Sequence, residues 1–400
     1  MDPNNCSWIR IGELSSLDTV HRGGALVSDY GFDSNGNRTS HRIGAASPLR
    51  GRVWPCLGDL AGTAEVTVAG SFDAQDRMLS YGTCQYEYTR NGELTRRTDS
   101  ASGAVTNYQY DEFGNLRRVD LADARVVTYH IDGLNRRVGK SIDGVRQWGL
   151  LYANQLEPVA ELDGAGNIVA SFLYADRPHV PSLMLKGGHT YRILSDHLGS
   201  VRLVIDLADG SIAQRLAYDE YGNVVEDTQP GFQPFAYAGG LYDPDTGFTR
   251  FGARDYDPVA GRWTAKDPTR FRGLDTNLYA YVRSNPVNWL DPLGLWNYAS
   301  EYSTTGDALT ENMTAVEDIV DQAYRDASGD EEAEATVTYT TNGRHGANSL
   351  HDDGDAIDLR VRDLTDEERQ EFVDNLIENL GDDYDVIDEG DHVHCEYDPD

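Results

Sequence analysis

The stretch Tyr108-Gln-Tyr110-Asp111-Glu-Phe-Gly114-Asn115-Leu116 decides the fold. Alternating tyrosines put two aromatic rings on one face of a strand. Asp111 then opens a turn, and Gly-Asn readily supplies the positive-φ residue a hairpin needs before Leu116 begins a second strand. The unit recurs as Tyr218-Asp219-Glu-Tyr-Gly222-Asn223-Val224, and in weaker form around Gly36-Asn37, Gly92-Glu93, Gly133-Leu-Asn135 and Gly166-Asn167. Hairpins repeated at roughly twenty-residue spacing stack into an extended, edge-sharing sheet. The first part of the chain therefore reads as a tandem β-hairpin array.

The chain has 400 residues, enough for two or three domains. Its 67 acidic and 34 basic side chains give a net charge of -33, and that charge is unevenly placed. Residues 296–400 hold 31 Asp/Glu against five Arg and no Lys, whereas residues 1–295 hold 36 against 29. So acidic a C-terminal part repels phosphate backbones and anionic lipids, which argues against nucleic acid as a partner and against membrane insertion. A salt-adapted source would carry the same excess. No apolar run is long enough to span a bilayer, and MDPNNCSWIR lacks the charged-then-apolar pattern of a signal peptide. Cys6, Cys56, Cys84 and Cys395 are too few and too scattered for a disulfide scaffold or a Cys-rich zinc module.

From about residue 190 a series of motifs follows in order: Asp196-His-Leu-Gly199-Ser-Val-Arg202, Tyr242-Asp-Pro-Asp-Thr-Gly247, Arg254-Asp-Tyr256-Asp-Pro258, Gly261-Arg-Trp263, Asp267-Pro268 and Asn285-Pro-Val-Asn-Trp-Leu-Asp291-Pro-Leu-Gly294-Leu295. This series resembles the Rhs-associated core of the Rhs/YD-repeat proteins, and the resemblance covers roughly residues 20–295. It implies a hollow β-cage of stacked hairpins whose core cuts the chain after the final Asp-Pro-x-Gly-Leu, here between Leu295 and Trp296. The change in charge falls at the same residue. Asp267 and Asp291 match the family's self-cleaving aspartates. Two carboxylates forced together cannot both ionise, so one keeps a proton as acid while the other activates water. Arg262, near Asp267 in sequence, is a candidate to orient or charge-pair with them. An Asp-Pro that merely opens a turn is the simpler reading at Asp243 and Asp257.

Residues 296–400 read as a compact α+β unit. Leu309, Met313, Val316, Ile319, Val320 and Ala323 share one face of a helix expected over about 308–327. Residues 335–341 have strand composition. Thr365-Asp-Glu-Glu368 is a capping box opening a helix with Phe372, Val373, Leu376, Ile377 and Leu380 on its apolar side. In the expected strand 356–361, period two sends Ile357, Leu359 and Val361 to the core and Asp358 to the other face. In 392–397, Val393, Cys395 and Tyr397 turn inward while His392, His394 and Glu396 share the opposite side. His351 precedes Asp358 by seven residues, with Gly354 free to bend between them. Two imidazoles and one carboxylate, with a fourth position open to water, are what catalytic zinc (Zn2+) requires. His345 reads as a loop residue, and Asp352, Asp353 and Asp355 as solvated loop charges.

Ser349-Leu-His351-Asp-Asp-Gly354-Asp-Ala356-Ile-Asp358 with His392-Val-His394 resembles the D-Ala-D-Ala carboxypeptidase/hedgehog-type zinc peptidases over roughly residues 335–397. The resemblance implies that His351, Asp358 and His394 bind zinc. It sets Asp391 where many members carry a general-base Glu, with Glu389 a nearby alternative. It gives His392 an oxyanion-stabilising or proton-shuttling role, and Arg344 a contact to substrate. The expectation is a multidomain protein: YD/Rhs hairpin repeats over 1–190, a self-cleaving core over 191–295, and a zinc metallopeptidase-like toxin domain over 296–400. It would be a secreted effector freed by self-cleavage and acting on peptidoglycan stem peptides in a competitor's periplasm, with a secretion apparatus and an immunity protein as partners. The alternatives are a cell-surface binding protein with a non-catalytic zinc domain, and a zinc amidase or protease with another substrate.

Overall fold

The computed structural model describes residues 7–11, 16–22, 24–51, 53–62, 64–175, 177, 179–270, 276–295, 298–299, 316–329, 335–339, 356–361, 364–381, 383–390 and 392–398. Among these, twenty strands form one antiparallel sheet. It is a meander running from Ser7–Ile11 to Val224–Asp227, each strand paired with the next in sequence. A two-stranded hairpin, Val53–Trp54 with Gly58–Asp59, is inserted between Arg38–Ile43 and Val66–Phe72.

The aspartate of each repeat does more than open a turn. Asp111 Oδ1 accepts the backbone N–H groups of Phe113 and Asn115, and Asp33, Asp132, Asp163, Asp196 and Asp219 do the same in their own turns. One carboxylate thus satisfies two donors that the ladder leaves unpaired. The left-handed residue sits three places after the aspartate: glycine in most turns (Gly114, φ 80°), but Asn135 (φ 61°) after Asp132 and Asp76 (φ 58°) after Asp73. The third position of the turn, rather than the Gly-Asn pair as such, carries the conformational demand.

The tyrosines of the repeats point inward against a small four-stranded sheet, Leu241–Tyr242, Thr249–Phe251, Arg254–Asp257 and Arg262–Trp263. Tyr108 stacks on Phe248, and the Tyr129 hydroxyl donates to Asp243 at 2.5 Å. Asp243 also takes the buried Lys140 ammonium at 2.6 Å, and Asp255 takes Arg137 and Arg250. Arg137 and Lys140 of the wall therefore meet carboxylates of the inner sheet, pairs that are costly to break because either partner alone is a buried charge. A disulfide joins Cys56 to Cys84, one bridge that no cysteine spacing announces.

In the C-terminal part, helices Glu317–Ser328 and Asp366–Leu380 accompany a four-stranded sheet ordered Thr336–Tyr339, Ala356–Arg360, His392–Tyr397, Tyr384–Asp388. Residues 308–315 of the first expected helix lie outside the described residues. The capping box is formed, Thr365 and Glu368 each accepting the other's backbone N–H. Phe372, Val373 and Leu376 are buried, but Ile377 is 53% exposed. It lies one residue round the helix from Leu376, beyond the stripe that the sheet covers. One apolar cluster runs from the inner sheet (Phe251, Tyr256, Trp263) and the adjoining Tyr281 to these helices and strands (Val320, Phe372, Val393), with Leu295 packed against it. No helix among the described residues is long and apolar enough to cross a membrane.

Candidate functional site

Two constellations emerge. In the first, the strand Arg254–Asp257 holds Arg254 fully inside, over the Trp263 ring at 4.1 Å. Its Nη2 contacts Asp267 Oδ2 at 2.6 Å and Asp291 Oδ2 at 3.2 Å, so the two aspartates expected to pair do meet on one guanidinium. Its Nε donates to the Gly294 carbonyl at 2.5 Å. Asp291 Oδ1 accepts the Leu295 N–H at 2.9 Å, and Asp267 Oδ1 accepts from Thr269 N–H and Oγ1–H. Burial raises the Asp267 pKa, against the lowering pull of Arg254 and Thr269.

The chain before the expected cut is held backbone to backbone. Ala253 N–H donates to Leu293 O, and a Cβ on Gly294 (φ 70°) would stand 2.7 Å from Phe251 O. The glycine of Asp-Pro-x-Gly-Leu is required for that approach. Arg262 is not part of this site. Its Nη2 donates to Asp76 O at 2.5 Å and its guanidinium lies over the Phe72 and Tyr279 rings, fastening the inner sheet to a repeat turn. Arg254 is the residue the sequence reading passed over. The available signal was its place at the head of Arg254-Asp-Tyr256-Asp-Pro258, a cation among motif carboxylates.

The second constellation lies on the C-terminal sheet. The register sets Asp358 directly opposite His394, and Arg360 opposite His392. Asp358 is 1% exposed, while His392 and Glu396 on the same face keep 23% and 22% of their side chains open to solvent. Asp358 Oδ1 is 2.7 Å from His394 Nδ1, and its Oδ2 is 3.6 Å from His392 Nε2. His392 also meets Glu389 at 3.4 Å, and His394 Nε2 is 3.0 Å from Glu396 Oε2. The result is an alternating line of carboxylates and imidazoles: Glu389, His392, Asp358, His394, Glu396. Burial lowers the His394 pKa, but hydrogen bonds to Asp358 and Glu396 outweigh it and push the imidazole up to about 9. Cys395 faces the core, and burial pushes its thiol up to about 12. A buried carboxylate between two imidazoles is a donor set that fits zinc. Among the described residues, no group of three or more His, Cys, Asp or Glu side chains is arranged to hold a metal ion by itself. Trp296, Arg344, His351 and Asp391 lie outside them.

The shell can be placed among known proteins. A model of the teneurin YD-shell matches residues 60–287. The chain belongs to the teneurin YD-shell family. Teneurin-4 of Mus musculus is 30% identical over 278 residues, 65% of this chain and 10% of that protein. The tRNA3(Ser)-specific nuclease WapA of Bacillus spizizenii is 26% identical over 297 residues, 71% of this chain and 12% of WapA. The chain thus spans about a tenth of the length of these YD-shell relatives. Among solved structures, a TcdB2-TccC3-Cdc42 crystal structure matches at a TM-score of 0.39 and 18% identity, covering 72% of this chain and 18% of that one.

Proposed function

We propose that this chain is the closing part of a secreted toxin's YD shell, that it cuts its own backbone after Leu295, and that residues 296–400 are released as a zinc-dependent peptidase. The observation that carries the reading is the Arg254 guanidinium on Asp267, Asp291 and the Gly294 carbonyl at once. Asp267, with its pKa raised by burial, is the member suited to hold a proton. Asp291, whose Oδ1 accepts the Leu295 N–H beside the bond to be cut, is the member placed to take a proton from water. In the cut, Asp291 takes a proton from water as the oxygen bonds to the Leu295 carbonyl carbon. Asp267 gives its proton to the departing Trp296 nitrogen as the C–N bond breaks. Arg254 keeps the two carboxylates together and fixes the chain one peptide upstream.

For the released part, Asp358 and His394 with His351 would hold zinc. Zinc, when bound, lowers the pKa of its water to about 7 and polarises a scissile carbonyl. Around it, Asp391 or Glu389 would take the water's proton, and His392, held by Glu389 and Asp358, would face the developing oxyanion. The substrate class we assign is peptidoglycan stem peptides in a competitor's periplasm. Delivery would be by a secretion apparatus, and an immunity protein would present a basic face to this acidic payload. WapA is a nuclease by name; its likeness supports the shell and a toxin's role. The charge of residues 296–400 argues against nucleic acid as this payload's target.

The test is Asp291→Asn beside the unaltered chain on a denaturing gel, with N-terminal sequencing of any fragment. Expected are a 105-residue fragment beginning at Trp296 from the unaltered chain and an uncut variant. An uncut unaltered chain overturns the self-cleavage reading.

A further inference from the structure

We infer that Glu396 is a positioning residue that fixes which nitrogen of His394 faces the metal. The inference rests on the zinc reading above and names a residue which that reading leaves idle. Period two along His392–Tyr397 sets His394 and Glu396 on one face, and Glu396 Oε2 stands 3.0 Å from His394 Nε2. The other ring nitrogen, Nδ1, is 2.7 Å from Asp358 Oδ1. The two nitrogens of an imidazole point away from each other, so a metal shared by Asp358 and His394 lies on the Nδ1 side, and Glu396 lies on the far side of the ring. A carboxylate there accepts the Nε2 proton, which leaves the Nδ1 lone pair for the metal and makes the imidazole a better donor. Glu396 is itself only partly exposed, with 22% of its side chain reaching solvent. The sheet supports the pair from beneath: Glu396 is opposite Ala356 on one neighbouring strand and opposite Asp385 on the other. Ala356 is fully buried and too small to reach the carboxylate.

The test uses the full chain, with Glu396→Ala and Glu396→Gln, and reads zinc affinity by competition with a chromophoric chelator. Expected is a loss on the order of 10–100-fold for Glu396→Ala, the usual effect of removing such a partner, and a smaller loss for Glu396→Gln, whose amide oxygen still accepts the proton. A second readout is the imidazole nitrogen spectrum of the zinc-loaded protein. It should place zinc on Nδ1 of His394, with a low-field Nε2 proton that is slow to exchange in the unaltered chain and fast in Glu396→Ala. Unchanged affinity in both variants overturns the inference. So does zinc on Nε2, which would make Glu396 a ligand and Asp358 the orienting group. Failure of the underlying reading looks different: the unaltered chain would then bind no zinc, or His351→Ala would bind it equally well.

Discussion

Asp291 and Asp358 are buried to the same degree, 2% and 1% exposed, yet their neighbours make them opposite kinds of site. Asp291 shares a guanidinium with Asp267. A guanidinium is a fixed fork that cannot be exchanged for a metal, so the two carboxylates stay locked in one arrangement. Asp358 sits between imidazoles. An imidazole can give up a ring proton and yield that nitrogen to a metal. A permanent cation suits a single cut made once within the same chain. An exchangeable partner suits the metal and substrate site proposed for the released part. The two regions also differ in how they are supported. Arg254 stands beside Asp255, which Arg137 ties to the wall, whereas the C-terminal face is set by the register of His392–Tyr397 with its two neighbouring strands.

The largest effect expected from this contrast is an all-or-none separation by chelator. With excess EDTA, peptide hydrolysis by the released part should vanish, while formation of the fragment after Leu295 proceeds unchanged. The check is a muropeptide assay and a denaturing gel run on the same preparation. Loss of both activities would place metal in the self-cleavage step and erase the distinction.

Next comes Arg254→Leu. Removing the guanidinium leaves two buried carboxylates without their cation, so the shell should lose on the order of 3–5 kcal/mol and the cut should stop. Urea unfolding gives the first quantity. Arg254→Lys keeps a charge but not the fork that spans Asp267, Asp291 and Gly294 O, and should recover part of the stability and little of the cleavage. If Arg254→Leu folds with unchanged stability and cuts normally, the guanidinium is a bystander.

How much of this contrast was legible in the sequence depends on the scale of the feature. Strand phase is a local property, and period two alone orders Ile357, Asp358, Leu359 and Val393, His394, Cys395 onto their faces. The capping box at Thr365 is equally local. The meeting of Asp267 with Asp291 was reached only through the resemblance of an ordered motif series, because the two lie 24 positions apart and no local periodicity links them. Arg254 lay beyond reach for the same reason. Nothing near Asp267 in sequence reveals that a strand 13 residues upstream, rather than the adjacent Arg262, supplies the cation. The Cys56–Cys84 bridge depends on where an inserted hairpin lands, and Ile377 on where the covering sheet ends. Both are tertiary facts that periodicity does not encode.

The smallest effect is one of pH, and it turns on Asp267. Burial raises its pKa above the ordinary carboxyl range, with Arg254 pulling the other way. A carboxyl so shifted binds its proton more tightly in the folded shell than in the unfolded chain. The stability it contributes is therefore present at low pH and lost as pH rises through the folded pKa. If Asp267 supplies the proton to the Trp296 nitrogen, the cleavage rate follows the protonated fraction, and above the folded pKa it should fall about tenfold per pH unit. Chain made by cell-free synthesis and chased across pH 5 to 8 would give that profile from the intensity of the 105-residue band. A rate that instead rises with pH over this range would show that the limiting group is a base that must lose its proton, and would reverse the roles assigned to Asp267 and Asp291. The peptidase proposed for the second region should show no such dependence on Asp267, since Asp267 has no part in the chemistry assigned to it. Identical profiles for cutting and for muropeptide hydrolysis would mean that one titration governs both, and that the two regions are a single site.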